Sequence, residues 1–128
     1  MDYVVALFGE AEKGRYQTAY HCCELGDLAQ HLGEPTEDGR GLNFAIQTLL
    51  YQHQVVFFRV QNEGFSTEDY LFGLNFLKKR EKFPKISALC LPGVGDRAIL
   101  DATTPICSLY KSFLIITESD LYDFLTNT

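Results

Sequence analysis

Three short stretches carry residue types that could do chemistry. The first is "LFGEAEKGRY" (7–16), which follows an apolar run and sets Gly9 and Gly14 with four residues between them. A phosphate-binding loop opens the same way. It then needs a lysine on the β/γ-phosphates and a short hydroxyl on Mg²⁺. Here those two places hold Arg15 and Tyr16. Glu10 and Glu12 would repel a triphosphate, and no helix signal follows Tyr16 to supply a dipole. The stretch therefore reads as a tight turn bounded by Gly9 and Gly14.

The second is "LPGVGDRAIL" (91–100), in which Pro92, Gly93, Gly95 and Asp96 lead from an apolar run into a helix. Amides at such a helix start can hold an anion. Asp96 stands at the N-cap position, where its carboxylate would satisfy the same amides. A capped turn is the simpler reading, and an anion site at Gly93, Gly95 and Asp96 stays open as the alternative. The third is "HCC" (21–23). Consecutive strand residues point to opposite faces, so only His21 and Cys23 share one, and His31 is the sole further candidate ligand nearby. That spacing does not make a zinc site. No cofactor is expected, and no G-x-S-x-G or H-E-x-x-H motif occurs.

The elements that must position these stretches can be read from periodicity. "YVVALF" (3–8), "VVFFRV" (55–60), "ISALCL" (86–91) and "SFLIIT" (112–117) read as strands, and "QTAYHCC" (17–23) as a weaker one. Residues 24–32 read as a short helix ended by Gly33. The stretch 42–53 places Leu42, Ala45, Ile46, Leu49 and Leu50 on one helical face. A helix over 66–83 starts at Ser66 and Thr67 and stops at Pro84. A helix from about 97 to 103 is bounded by Pro105, and a last one covers 118–125. From residue 42 onward strands and helices alternate, and the strands are apolar throughout. That predicts a single three-layer α/β domain over 1–128, with a mostly parallel sheet and helices on both faces.

The chain has 128 residues and a net charge of −6, so general affinity for nucleic acid or anionic membrane is not expected. The basic group Lys78, Lys79, Arg80 and Lys82, with Glu81 among them, reads as the solvated end of a helix. No basic-then-apolar leader and no run of about 20 apolar residues is seen, so neither a signal peptide nor a membrane span is expected. Cys22, Cys23, Cys90 and Cys107 form no C-x-x-C pair, which points to a reducing, cytoplasmic setting.

Taken in order, the pieces resemble the conserved core of contractile phage tail sheath proteins. The resemblance rests on "FGEAEKG" (8–14), "LGDLAQHLG" (25–33), "LNFAIQTLL" (42–50), "VVFFRV" (55–60), "YLFGLNFL" (70–77), "ALCLPGVGD" (88–96), "RAILDA" (97–102) and "SFLIIT" (112–117). It spans about residues 4–117. The family usually has proline where Arg15 stands and Gly-Gly where Gln52–Gln54 stand. It implies a core without the C-terminal domain and linking arms of sheath subunits. It also implies a non-enzymatic structural protein, acting through contacts with itself or with sheath- or tail-like subunits. On that footing Gly9, Ala11, Gly14, Gly33, Arg59, Pro92, Gly93 and Asp96 are structural turn residues. Glu10, Glu12, Lys13 and Arg15 become a contact surface. The alternative is a small α/β ligand- or anion-binding module or enzyme, using the loop Pro92–Asp96.

Overall fold

Strands that are apolar at every position need cover on both faces. A computed structural model, which describes residues 3–79 and 86–126, has them covered in that way. Among the described residues the order is β1 (Val4–Gly9), β2 (Ala19–Cys22), α1 (Leu25–Leu32), α2 (Gly41–Leu50), β3 (Gln54–Arg59), α3 (Thr67–Lys79), β4 (Ala88–Cys90), α4 (Arg97–Tyr110), β5 (Phe113–Ile115) and α5 (Glu118–Thr126). The strands form one sheet in the order β2-β3-β1-β4-β5. β1 pairs in parallel with β3 and β4, and β4 with β5; only β2 runs antiparallel, against β3. The chain is thus a single small α/β domain with a mostly parallel sheet, as its alternating pattern predicts.

The period-2 geometry of the strands divides the core in two. Val5 and Leu7 of β1, Val55 and Phe57 of β3, and Ala88 and Cys90 of β4 face α1, α2 and α5. Val4, Ala6 and Phe8, with Val56, Phe58 and Leu89, face α3 and α4. The ring of Phe8 stacks on Phe58 at 4.8 Å and on Tyr70 of α3 at 5.4 Å. Gly73 lets α3 lie this close, because a Cβ there would run into the Phe8 ring.

Two expectations are corrected. The apolar face of α2 is turned from the one read off its leucines. Phe44 and Thr48 are buried beside Leu42, Ala45 and Leu49, whereas Leu50 is 62% exposed. The helix packs on β1 and β3 through Leu42, Ala45 and Leu49, and Leu50, its last residue, lies outside that face. The second correction concerns α4, which does not stop before Pro105 but runs through it to Tyr110. Proline there removes the N–H that would meet the Asp101 carbonyl. Asp101 and Pro105 are both exposed, so water reaches that carbonyl, while Ile99, Thr103 and Ile106 hold the buried face against the sheet. Packing overrides the local break. Lys78 and Lys79 close α3 as described; Arg80, Glu81, Lys82 and the stop at Pro84 lie outside the described residues.

Candidate functional site at the carboxyl end of the sheet

Both glycine-rich loops leave parallel strands at the same end of the sheet. The chain returns from β1 to β3 through α2 on one face, and from β4 to β5 through α4 on the other. The crevice between the ends of β1 and β4 is therefore the switch point, where α/β sheets ordinarily take their ligands. In this protein the loop after β3 crosses it.

Glu63 is the centre of that crossing. Its Oε1 accepts from the amides of Glu10 at 3.0 Å and Gly41 at 2.9 Å, and its Oε2 from the amide of Arg40 at 2.5 Å. Glu10 reciprocates, its Oε2 accepting from the amide of Glu63 at 2.9 Å. The carboxylate thus occupies the start of α2, where orphan amides and the helix dipole favour negative charge. Burial nevertheless pushes the Glu63 carboxyl above its ordinary value, outweighing the three amides that pull it down. The next amide, Gly64, donates to the buried Tyr70 hydroxyl at 2.7 Å. Burial raises that phenol as well.

Small residues make the crossing possible. A Cβ on Gly9 would lie 2.6 Å from the Cα of Gly41, so two backbones touch where β1 ends. Gly64 (φ +89°) sits equally close to the Gly93 carbonyl, and Gly93 itself has φ +76°. The backbone of the first loop is tied from several sides. Lys13 donates its amide to the Leu32 carbonyl at 3.1 Å, and Arg15 donates its amide to the Tyr20 hydroxyl at 2.7 Å. The Arg59 guanidinium donates to the Gly14 carbonyl at 2.6 Å and lies 4.4 Å from the Tyr16 ring. Gly14 (φ +106°) and Gly33 (φ +80°) take left-handed turns, and Ala11 is buried.

One sequence expectation fails here. Glu10 is not part of a free charged surface: it is half-buried and bonded inward to Glu63. Parallel neighbours β1 and β3 end in register, Gly9 opposite Arg59, so the loops that leave them meet. Glu12, Lys13 and Arg15 are exposed, and Glu12 also accepts from the Glu34 amide at 3.4 Å. Glu63, Tyr70 and Gly41 were not singled out from sequence. An acid in a five-residue connector carries no local mark of what it will bind.

The second loop is a capped turn. Asp96 Oδ1 accepts from the amides of Ala98 at 2.8 Å and Ile99 at 3.2 Å, taking the donors an anion would use. A cleft of about 390 Å³ opens beside Pro92 and Gly93, bounded by Arg40, Phe44, Thr117 and Glu118. Gly95 is not among its lining residues.

The cysteines and histidines do not converge. Cys22 is buried and its thiol is pushed up to about 12, chiefly by desolvation. Cys23 and His21 are exposed on the other face, with Sγ and Nε2 3.9 Å apart, and His21 also meets Gln54 at 2.7 Å. The His31 ring lies 5.3 Å from that of Tyr20, tilted against it. Among the described residues no group of three His, Cys, Asp or Glu side chains lies close enough to hold a metal ion. Among them, too, no helix is long and apolar enough to cross a membrane.

No protein-family model, curated protein or solved structure matches this chain.

Proposed function

We propose that this protein is a non-enzymatic structural or assembly protein of the contractile-sheath type, working through contacts with copies of itself or with tail-like subunits. The observation that carries this reading is the state of the carboxyl end of the sheet. Its amides, at Glu10, Arg40, Gly41, Ala98 and Ile99, are taken up by the chain's own Glu63 and Asp96. What would be a ligand crevice in an α/β enzyme is spent on holding three loops together. The same bonds stiffen the loop that carries Glu12, Lys13 and Arg15 outward, and a preorganised surface loses little entropy on docking. On this reading the protein acts in the cytoplasm or within a tail-like particle, with no cofactor.

Mass photometry and negative-stain microscopy of the purified chain, alone and with tail or sheath proteins, test the proposal. A defined oligomer or a shared particle is expected, lost on Lys13→Glu/Arg15→Glu with the melting temperature unchanged. A strict monomer that joins no such particle sinks it. A second reading has one observation in its favour, the 390 Å³ cleft beside Gly93 with Arg40 at its rim. A small anion there would raise the melting temperature in a ligand screen, and Arg40→Glu would abolish the rise.

A further inference from the structure

The sheet has an open edge at β5, and it is apolar. Phe113 is 65% and Leu114 39% exposed. Among the described residues β5 pairs with β4 alone, Phe113 opposite Ala88 and Ile115 opposite Cys90. The Phe113 amide donates to Ser87 at 3.1 Å, and the Ile115 carbonyl accepts from Leu91 at 2.9 Å. Backbone groups of successive strand residues point to opposite sides. Leu114 therefore turns its N–H and C=O away from the sheet, and no backbone group meets them among the described residues.

Beside this edge lies a cleft of about 380 Å³. Its walls are aromatic, formed by Tyr3, Phe113 and Phe124, with ring centroids 5.0 Å apart for Tyr3–Phe124 and 5.7 Å for Phe113–Phe124. Asp120 and Asp123 also line it, one turn apart on α5. Both are exposed, and neither has an ion-pair partner among the described residues. Ring faces and carboxylates together recognise a cation with an apolar stem, which is an arginine or lysine side chain.

We propose that β5 is a strand-addition site for an extended segment of another protein, in which a basic side chain is flanked by apolar or β-branched residues. The segment pairs with the outward N–H and C=O of Leu114, and its basic side chain enters the cleft between the aromatic rings and the two aspartates. Main-chain pairing supplies affinity and the pocket supplies selectivity. Charge favours such a partner over a second copy, because a copy would bring its own Asp120 and Asp123 and a net charge of −6 against the same two acids. This inference rests on the reading of the protein as a contact module and names the chemistry of one contact.

The test is selection of a displayed library of random nine-residue peptides against the full chain, followed by binding of the enriched peptides in solution. Enrichment of a basic residue between apolar ones is expected, with affinity falling on added salt. Asp120→Lys/Asp123→Lys should weaken binding about tenfold or more. Leu114→Pro should do likewise. It removes the outward N–H while sparing the bonds to β4, and proline is tolerated at such edge positions. Circular dichroism checks that both variants fold. No enrichment, enrichment of acidic peptides, or binding indifferent to both variants overturns the proposal. A chain that assembles normally yet selects no such peptide overturns strand addition alone. Self-association lost on Leu114→Pro, without peptide binding, assigns the edge to a second copy and equally refutes it.

Discussion

Removing the Glu63 carboxylate tests whether the carboxyl end of the sheet is held as described. In Glu63→Ala three amides lose their acceptor. Arg40 is exposed and water can replace the carboxylate there, but the amides of Glu10 and Gly41 are partly buried. A buried donor left unpaired costs about 1–3 kcal/mol. Taking the low end for two of them gives a loss of about 2 kcal/mol at neutral pH, with relief from burying the charge offsetting what remains. In urea, with a slope of about 2 kcal/mol/M, the midpoint should fall by about 1 M. Glu63→Gln keeps an oxygen for Glu10 and Gly41 but sets an N–H₂ against the Arg40 amide, so about half that loss is expected. The pH dependence gives an independent check. The Glu63 carboxyl is raised above its ordinary 4.5 in the folded protein, chiefly by burial. Its contribution is therefore fully present below that ordinary value and is lost as pH rises through the raised one. Glutamine has no such titration, so wild type should exceed Glu63→Gln by more at pH 4 than at pH 7. Asp27, held down by the amides of Cys23 and Glu24, works in the opposite sense, but it is common to both proteins and cancels. A midpoint for Glu63→Ala within about 0.2 M of wild type, or a wild-type advantage over glutamine that grows with pH, would refute the assignment.

Three other substitutions or labels follow from the packing. Gly73→Ala places a methyl in the Phe8 ring and 3.1 Å from Phe58. Overpacking of about 1–3 kcal/mol should exceed the gain of about 1 kcal/mol in helix propensity, so thermal melting should fall; a raised melting temperature contradicts the contact. Pro105→Ala restores the hydrogen bond to Asp101 within an exposed helical turn and should stabilise by about 1–2 kcal/mol after the unfolded-state term. A loss in denaturant titration means that the proline fits the native helix better than the rule allows. N-ethylmaleimide with mass-spectrometric mapping should label exposed Cys23 first. Cys22 and Cys90, buried and with thiols pushed up, should react only on unfolding. Early labelling of Cys90 would show that the sheet opens.

How far the sequence reaches depends on the range of the interaction involved. Unbroken apolar runs such as Val4–Phe8 and Val55–Phe58 announce strands covered on both faces, because a strand wet on one side cannot be apolar on both. Capping is equally local. Asp96 binds the amides two and three residues on, so its capping role was legible in the sequence, where the anion site at Gly93, Gly95 and Asp96 stayed open as the alternative. The rejection of a phosphate loop at Gly9–Gly14 likewise needed only Arg15, Tyr16 and two glutamates.

What tertiary structure alone decided involves residues brought together from afar. Pro105 breaks a helix in isolation, but Ile99, Thr103 and Ile106 on the buried face carry α4 through it. Leu50 belongs to an apolar stripe by spacing and to solvent by position, because the face of α2 that meets the sheet carries Leu42, Ala45 and Leu49 instead. Glu10 seemed a solvated charge, and Glu63 lay unnoticed in a short connector. They are 53 residues apart and bind each other's amides only because β1 and β3 end side by side in register. The glycines at 9 and 14 were visible from the start as a turn. That Gly9 is there to let Gly41 touch it, and so to seat a buried carboxylate at the start of α2, depends on a backbone contact across 32 residues. No local pattern encodes such a contact, since its energy is realised only once the sheet has formed.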